Sequence, residues 1–466
     1  MQKRGLCQMN ILILNGSPKG KNSITLQTML YIRKMFPGHS YRVLHVGQKI
    51  RGFERDFSKA KTMLETADLI VFAYPVYTFI APSQMHRFIE LMKESGVRVA
   101  GKFVTQVTTS KHFYDVTAHR YIQDNCQDMK MKFIKGLSAD MDDLLTEKGQ
   151  KEAVNFFDYV LRCVEKDYFE PIPAAPRKYK PVEVSLVTEE DDAFVPEAEK
   201  TGDVVVVADL GEEDEQLSDM IARFRAVSKR KVRLVNLREY PFRGGCLGCF
   251  HCATDGECIY IDGFDKFLRE KIQTAEAIVY AFTIRDHSMG ALFKMYDDRQ
   301  FCNGHRTVTM GMPMAYIISG DYRKEPNLQM IIEGRSEVGG NFLAGVATDE
   351  KDPNAAIDKM ADNLDYALRK KIVMPQNFYG VGGMKIFRDL IYLMQGMMKA
   401  DHAFYKAHGQ YDFPQKQKGT VLKMYLVGAL LDSPKVKEKM GDKMTEGMLA
   451  PYKKVLDRIV LTDGRK

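Results

Sequence analysis

The chain has 466 residues, 45% apolar, 28% charged and 10% aromatic. That is a globular composition with length for two to three domains, since a single core rarely grows past about 250 to 300 residues. Sixty-eight basic against 61 acidic residues leave +7, too small and scattered an excess for a dedicated nucleic-acid binder. No stretch approaches the roughly 18 uncharged apolar residues of a membrane span. The longest is Met424 to Leu431, and no apolar signal core follows Lys3 and Arg4, so a cytoplasmic protein is expected.

The first 166 residues alternate β-branched runs with helical periodicity, the βαβ signature of a parallel sheet covered on both faces. Strands are predicted at Ile11 to Leu14, Tyr41 to Val46, Leu69 to Tyr74, Phe103 to Thr108 and Phe133 to Leu137. Helices are predicted at Asn22 to Phe36, Asp56 to Glu65, Pro82 to Lys93, Asp115 to Cys126 and Lys148 to Val164. From 167 to 202, five prolines and the acidic run Glu189 to Asp192 read as a linker.

A second cycle spans 203–375, with strands at Val204 to Val207, Val232 to Leu237, Ala277 to Ala281, Thr307 to Ile318 and Phe342 to Ala347 and a closing helix at Ala355 to Lys371. Ala67 to Tyr74 reads onto Ala275 to Phe282 at an offset of 208, whereas the first strands, at Ile11 and Val204, are offset by 193. The expected fold is α/β: two tandem doubly wound parallel-sheet domains, the second with an insertion between its first and third strands. The remaining residues, 376–466, are expected to form a helical extension. Its apolar stripes, Met384, Phe387, Ile391, Met394 and Met398, then Tyr452, Val455, Leu456 and Ile459, suit core packing, a lid or an oligomer interface.

After the first strand comes Asn15-Gly16-Ser17-Pro18-Lys19-Gly20-Lys21-Asn22-Ser23-Ile24-Thr25, running into a helix. Backbone N–H groups, hydroxyls and a helix dipole at such a turn suit an anion, although an ordinary capped turn has the same residues. Ser17, Asn22, Ser23 and Thr25 supply uncharged donors, and Lys19 or Lys21 the charge. The spacing departs from the triphosphate-binding P-loop. After strands three and four stand Tyr74-Pro75-Val76-Tyr77-Thr78-Phe79-Ile80-Ala81-Pro82 and Thr108-Thr109-Ser110-Lys111-His112-Phe113-Tyr114, at strand ends where open α/β sheets bind ligands. Tyr77 or Phe79 offers an aromatic wall for a flat cofactor.

These loops make residues 10 to 166 resemble the flavodoxin-like NAD(P)H-dependent FMN reductases. The resemblance implies FMN, its phosphate on Ser17, Lys19, Gly20, Lys21, Asn22 and Ser23. Its isoalloxazine would lie against Pro75, Val76, Tyr77, Thr78 and Phe79 and against Thr109, Ser110, Lys111 and His112. NAD(P)H is the implied candidate reductant, although no Gly-x-Gly-x-x-Gly fingerprint is present.

Eight cysteines without a secretory signal point to metal or redox use rather than a disulfide framework. Cys246-x2-Cys249-x2-Cys252-x5-Cys258 places four within 13 residues, among Gly244, Gly245, Gly248 and Gly256. Four thiolates on one glycine-bearing loop suit a [4Fe–4S] cubane, while zinc and free redox thiols remain the alternatives. Cys7, Cys126, Cys163 and Cys302 are expected to be buried hydrophobes. With Cys258-Ile259-Tyr260-Ile261-Asp262, the loop resembles that of the iron–sulfur flavoproteins, which pair such a cluster with FMN. At the second domain's own phosphate-loop position stands Ala208-Asp209-Leu210-Gly211-Glu212-Glu213-Asp214-Glu215, and Thr283-Ile284-Arg285 replaces Pro-Val-Tyr. One flavin per chain is therefore expected.

The function expected is an electron-transfer oxidoreductase passing electrons between FMN in the first domain and the cluster in the second. The partner is ferredoxin or a small-molecule acceptor, and a homo-oligomer fits as well. The alternatives are an NAD(P)H-dependent FMN or quinone reductase with a structural metal, and a non-catalytic redox sensor.

Overall fold

The computed structural model describes residues 8–173, 179–249, 251–372, 374–412 and 418–431. Cys7, Pro176 of the linker and the stripe from Tyr452 to Ile459 lie outside them. Two compact units divide the chain, Met1–Phe404 and Tyr405–Lys466. Both α/β repeats, here called lobes, fall within the first unit.

The first lobe runs β1 (Asn10–Asn15), α1 (Ile24–Met35), β2 (Ser40–Leu44), α2 (Val46–Arg55), α3 (Ser58–Glu65), β3 (Leu69–Pro75), α4 (Ser83–Glu94), β4 (Phe103–Ser110), α5 (Asp115–Asp128), β5 (Lys132–Phe133), β6 (Leu137–Asp140) and α6 (Glu147–Lys166). Its parallel sheet has the order β2-β1-β3-β4-β5, with β6 also on β4. The second lobe runs β7 (Thr201–Ala208), α7 (Glu215–Val227), β8 (Arg230–Asn236), α8 (Cys252–Asp255), α9 (Phe264–Phe267), β9 (Ala277–Thr283), α10 (Gly290–Arg299), β10 (Met314–Ser319), α11 (Pro326–Gly339), β11 (Leu343–Thr348) and α12 (Pro353–Lys370). Its parallel sheet, β8-β7-β9-β10-β11, repeats the same topology. Both central strands are apolar throughout, as burial on both faces requires: Leu69 to Tyr74 and Ala277 to Phe282 are buried.

Three sequence expectations need correction. The fifth strand is not continuous from Phe133 to Leu137 but breaks into β5 and β6. The break falls near Gly136, where a Cβ would stand 2.5 Å from the Gln106 carbonyl oxygen. The strand expected from Thr307 begins only at Met314, because Thr307 to Pro313 forms turns closed by Met310 N–H to Thr307 O and Met312 N–H to Thr309 O. Gly311 at φ +76 and Pro313, which lacks an N–H, suit the turn better than a ladder. Helix α2 is absent from the sequence reading: Val46, Ile50 and Phe53 do share one apolar face, but Gly47 and Gly52 are poor helix formers and the first turn has no side-chain cap.

The described linker leaves the first lobe through Glu170 N–H on Phe133 O (2.7 Å) and Gln127 Nε2 on Pro171 O (2.8 Å), and from Tyr179 it runs along the second lobe. Val182 N–H donates to Asp349 O (2.8 Å), Arg223 donates to Ser185 O (2.7 Å), and the Tyr179 hydroxyl donates to the Asp349 carboxylate. Beyond the second lobe come α13 (Phe378–Leu393), α14 (Lys399–Ala407) and α15 (Lys418–Leu431). Of the predicted stripe, Ile391 and Met398 are buried, and Met384 and Phe387 pack on the second lobe's core. This is the core-packing alternative. No helix among the described residues is long and apolar enough to cross a membrane.

Candidate functional site

The loop after β1 is held by its own side chains. Asn15 Nδ2 donates to Gly20 O (2.8 Å), Lys19 N–H to Ser17 Oγ (3.3 Å), and Leu26 N–H to Ser23 Oγ (3.2 Å), which makes Ser23 the N-cap of α1. Ser17, Ser23 and Thr25 are buried, whereas Lys21 and Asn22 are exposed. Gly47 of α2 closes the loop from behind: a Cβ there would lie 2.3 Å from Gly16 O, so only glycine permits the approach. Buried hydroxyls at a helix N-terminus, with no carboxylate among them, are a donor set that fits a phosphate. The Thr25 hydroxyl meets that of Thr109 at 2.6 Å and ties this loop to the end of β4.

The loop after β3 makes a tight turn in which Tyr77 and Ile80 exchange backbone hydrogen bonds of 2.8 and 3.2 Å, with Thr78 and Phe79 at φ +42 and +76. Tyr77 and Phe79 point to different surroundings. The Phe79 ring is 4% exposed and lies 5.0 Å from Phe113 and 4.5 Å from Tyr114, within the core of the second lobe. Tyr77 is half-buried and stands outside that core. In the loop after β4, Ser110 Oγ accepts from His112 N–H (2.9 Å), and Lys111 is paired with Asp140 (2.8 Å) and Asp142 (2.7 Å). His112 Nδ1 contacts Asp115 Oδ2 at 2.7 Å, and the Ser138 hydroxyl donates to the same carboxylate. Burial alone would raise the Asp115 carboxyl, but the hydrogen bonds from Ser138 and His112 hold it below its ordinary value. Asp115 and Ser138 were not singled out in the sequence, because they meet His112 only in the fold.

The cysteine loop of the second lobe lies against these loops of the first. Gly248, at φ +59, comes so close to Tyr77 that a Cβ would stand 1.9 Å from the phenol oxygen and 3.5 Å from Lys19 Cε. Gln84 Nε2 donates to Cys246 O (3.3 Å), and the Phe301 ring lies 5.8 Å from that of Tyr77. Burial raises the Tyr77 phenol far above its ordinary value, and the charges of Cys246, Asp298 and Cys249 add to the shift. From its other side the loop is anchored by Arg299, which donates to Gly244 O (2.9 Å) and grips Asp262 through two bonds of 2.9 and 2.7 Å.

Within the loop, Gly248 N–H donates to Cys246 Sγ (3.4 Å), Cys252 Sγ–H donates to Phe301 O (3.0 Å), and Cys249 is exposed. Burial raises Cys246 strongly and Cys252 to about 11, and neighbouring cysteines add to both shifts. Among the described residues no three or more His, Cys, Asp or Glu side chains are grouped so as to hold a metal ion. The donor set fits an iron–sulfur cluster in chemistry, four thiols on one short loop, but the sulfurs are not gathered in ligating geometry. Cys126, Cys163 and Cys302 are buried, as expected.

At the second lobe's own phosphate-loop position Asp209, Glu213 and Asp214 are paired with arginines, while Glu212 and Glu215 are exposed. Arg238 pairs with Asp209 (2.8 Å) and Glu213 (2.9 Å), and Arg285 lies 3.3 Å from Asp214. Asp214 also accepts from Gly211 N–H (3.0 Å) and the Thr283 hydroxyl (2.7 Å). The loop's donors are thus spent on its own aspartate.

Residues 9–138, under a third of the chain but including the loops after β1, β3 and β4, match the family model for NADPH-dependent FMN reductase. That segment has the pattern of a flavin-dependent oxidoreductase. No curated protein matches the chain. Among solved structures, an NADH:FMN oxidoreductase in its apo form is 16% identical, with a TM-score of 0.29 over 33% of this chain and 89% of that one. The NAD(P)H:acceptor oxidoreductase FerB of Paracoccus denitrificans is 17% identical, with a TM-score of 0.29 over 34% and 98%. An NAD(P)H:quinone oxidoreductase of Methanothermobacter marburgensis is 10% identical, with a TM-score of 0.27 over 35% and 98%.

Proposed function

We propose that the chain is a flavin-dependent oxidoreductase that binds one FMN on the first lobe and an iron–sulfur cluster on Cys246, Cys249, Cys252 and Cys258, and passes electrons between them. The observation that carries this reading is the contact of Gly248 with Tyr77 and Lys19, which sets the cysteine loop on the flavin loops of the same chain. When bound, FMN exchanges two electrons with a hydride donor and single electrons with a cluster. The protein's part is placement. Ser17 and Ser23 would receive the phosphate, Tyr77 would wall the ring, and the loop carrying Thr109, Ser110 and His112 would border it. The His112 ring in that border is held by Asp115. The second lobe covers the site and keeps water from its Tyr77 side.

The match over residues 9–138 supports a second reading, an NAD(P)H-dependent FMN or quinone reductase in which the cysteine loop holds a structural metal. Iron, sulfide, zinc and flavin stoichiometry of anaerobically purified protein, with its visible spectrum, separates the two. Iron and sulfide near four per chain with one FMN supports the first, and flavin with zinc supports the second. Under the first reading, replacing any of the four loop cysteines with Ala loses iron, and replacing Cys126, Cys163 or Cys302 does not. The acceptor, ferredoxin or a small molecule, is settled by steady-state turnover with each.

A further inference from the structure

The lobes meet through α4 and α10 in a pseudo-twofold contact that follows the 208-residue offset. Ser83 N–H donates to Asp298 Oδ2 at 2.8 Å, and Ala291 N–H donates to Glu90 Oε1 at 2.8 Å. Ser83 with Ala291, and Glu90 with Asp298, are equivalent positions. The turn after β9 likewise copies the turn after β3: Arg285 and Ser288 pair as Tyr77 and Ile80 do, and Asp286 and His287 take φ +51 and +62. Two successive non-glycine residues in the left-handed region are strained, so contacts outside the turn must hold them.

Each turn is held by the other lobe. The second lobe's turn receives Asn125 Nδ2 on Asp286 O (3.0 Å), Lys93 on the Asp286 carboxylate (2.9 Å) and Asp128 on His287 Nε2 (2.9 Å). The first lobe's turn receives Lys294 Nζ on Tyr77 O (2.8 Å), with the Arg335 guanidinium 5.5 Å from the centre of the Phe79 ring. Lys294 has no exposed side-chain surface; it also bonds Asp298 (2.5 Å) and Asp297 (3.3 Å), and Arg335 bonds Asp297 (2.5 Å).

At one pair of positions the symmetry fails. The counterpart of Lys294 is His86, whose buried ring stacks on Tyr121 at 4.1 Å rather than reaching the second turn. A fully buried lysine clamp on a backbone carbonyl therefore bears only on the lobe that keeps the phosphate loop, whereas the second turn is held by the partly exposed Lys93 on a side-chain carboxylate. Resting on the flavin reading above, we infer that Lys294, contributed by the second lobe, is a positioning residue for the first lobe's flavin loop: it fixes the Tyr77 carbonyl and thereby the turn Tyr77–Ile80.

Lys294→Met alone would strand a buried carboxylate. In the full chain, Lys294→Met with Asp298→Asn removes the clamp without that charge and leaves an acceptor for Ser83 N–H. In the flavin-free protein, amide exchange at Thr78 to Ile80 is expected to quicken about tenfold while that of α10 stays unchanged. The Kd for FMN, read by flavin fluorescence quenching, is expected to rise about tenfold. Lys294→Gln with Asp298→Asn keeps a shorter, uncharged donor; it should fall between this variant and the parent, and it is the fallback if the first variant does not fold. A parent chain that binds no FMN overturns the flavin reading and this inference with it. Parent binding, with either an unchanged Kd or unchanged exchange at Thr78 to Ile80 in a folded variant, overturns this inference alone.

Discussion

The two lobes share a sheet order, a strained turn after the third strand and a reciprocal helix contact, yet they treat the end of their first strand in opposite ways. In the first lobe Ser17, Ser23 and Thr25 leave an uncharged, buried cradle at the start of α1. In the second, Asp214 collects Gly211 N–H, the Thr283 hydroxyl and Arg285, closing the equivalent position from within. One scaffold thus supports either an open set of uncharged donors or a self-satisfied polar network. A few side chains at the strand ends decide which, because the backbone donors at a helix N-terminus serve whichever anion reaches them first.

The contrast is broken most directly by placing charge in the open cradle. Asn22→Asp with Ser23→Asp is expected to reduce bound flavin from one per chain to nearly none, as carboxylates would then face the phosphate. Flavin absorbance per chain reads the result, and a parent stoichiometry near two would show that the second lobe binds flavin as well. Opening the closed position has a smaller effect. Asp214→Ala leaves Gly211 N–H and the Thr283 hydroxyl without their acceptor and Arg285 with Glu213 alone, and should cost about 2–3 kcal/mol in urea unfolding, without any gain of flavin.

The turns can be compared by pH. His287 lies between Asp128 and Glu325, with Lys93 and Asp124 nearby. Burial opposes its charge, but the two carboxylates raise its pKa to about 10. The stabilisation is therefore complete below the unfolded histidine value of about 6.5 and disappears as pH rises toward 10. The urea midpoint should fall across that window, with a loss on the order of 1–2 kcal/mol after solvent screening, and His287→Asn should flatten the slope. The first turn has no histidine in this role and should contribute no such slope. The smallest effect is expected from Gly248→Ala, where φ +59 and the approach to Tyr77 disfavour a side chain. A loss of about 1 kcal/mol in thermal unfolding is expected, together with a shifted flavin spectrum if the loop moves from the ring.

Much of this architecture is written locally. Buried runs such as Leu69 to Tyr74 specify parallel strands, the offset between Ala67 and Ala275 marks the second lobe, and Ser17 to Thr25 and Cys246 to Cys258 stand out by residue type and spacing alone. The break beside Gly136 depends on how closely the chain passes Gln106, 30 residues away, and α2 has an apolar face at Val46, Ile50 and Phe53 but carries two glycines and no cap to mark it as a helix.

What the sequence by itself determined is therefore the kind of fold, the number of repeats and the residue types that each loop carries. The tertiary structure decided which loops meet. It set Gly248 on Tyr77, turned Phe79 into the neighbouring core, and buried Lys294 against a carbonyl 217 residues away. Periodicity and turn chemistry act over a few residues and are legible in a linear chain. Contacts between α4 and α10 depend on two separately folded surfaces fitting together, and no short stretch of sequence carries that information.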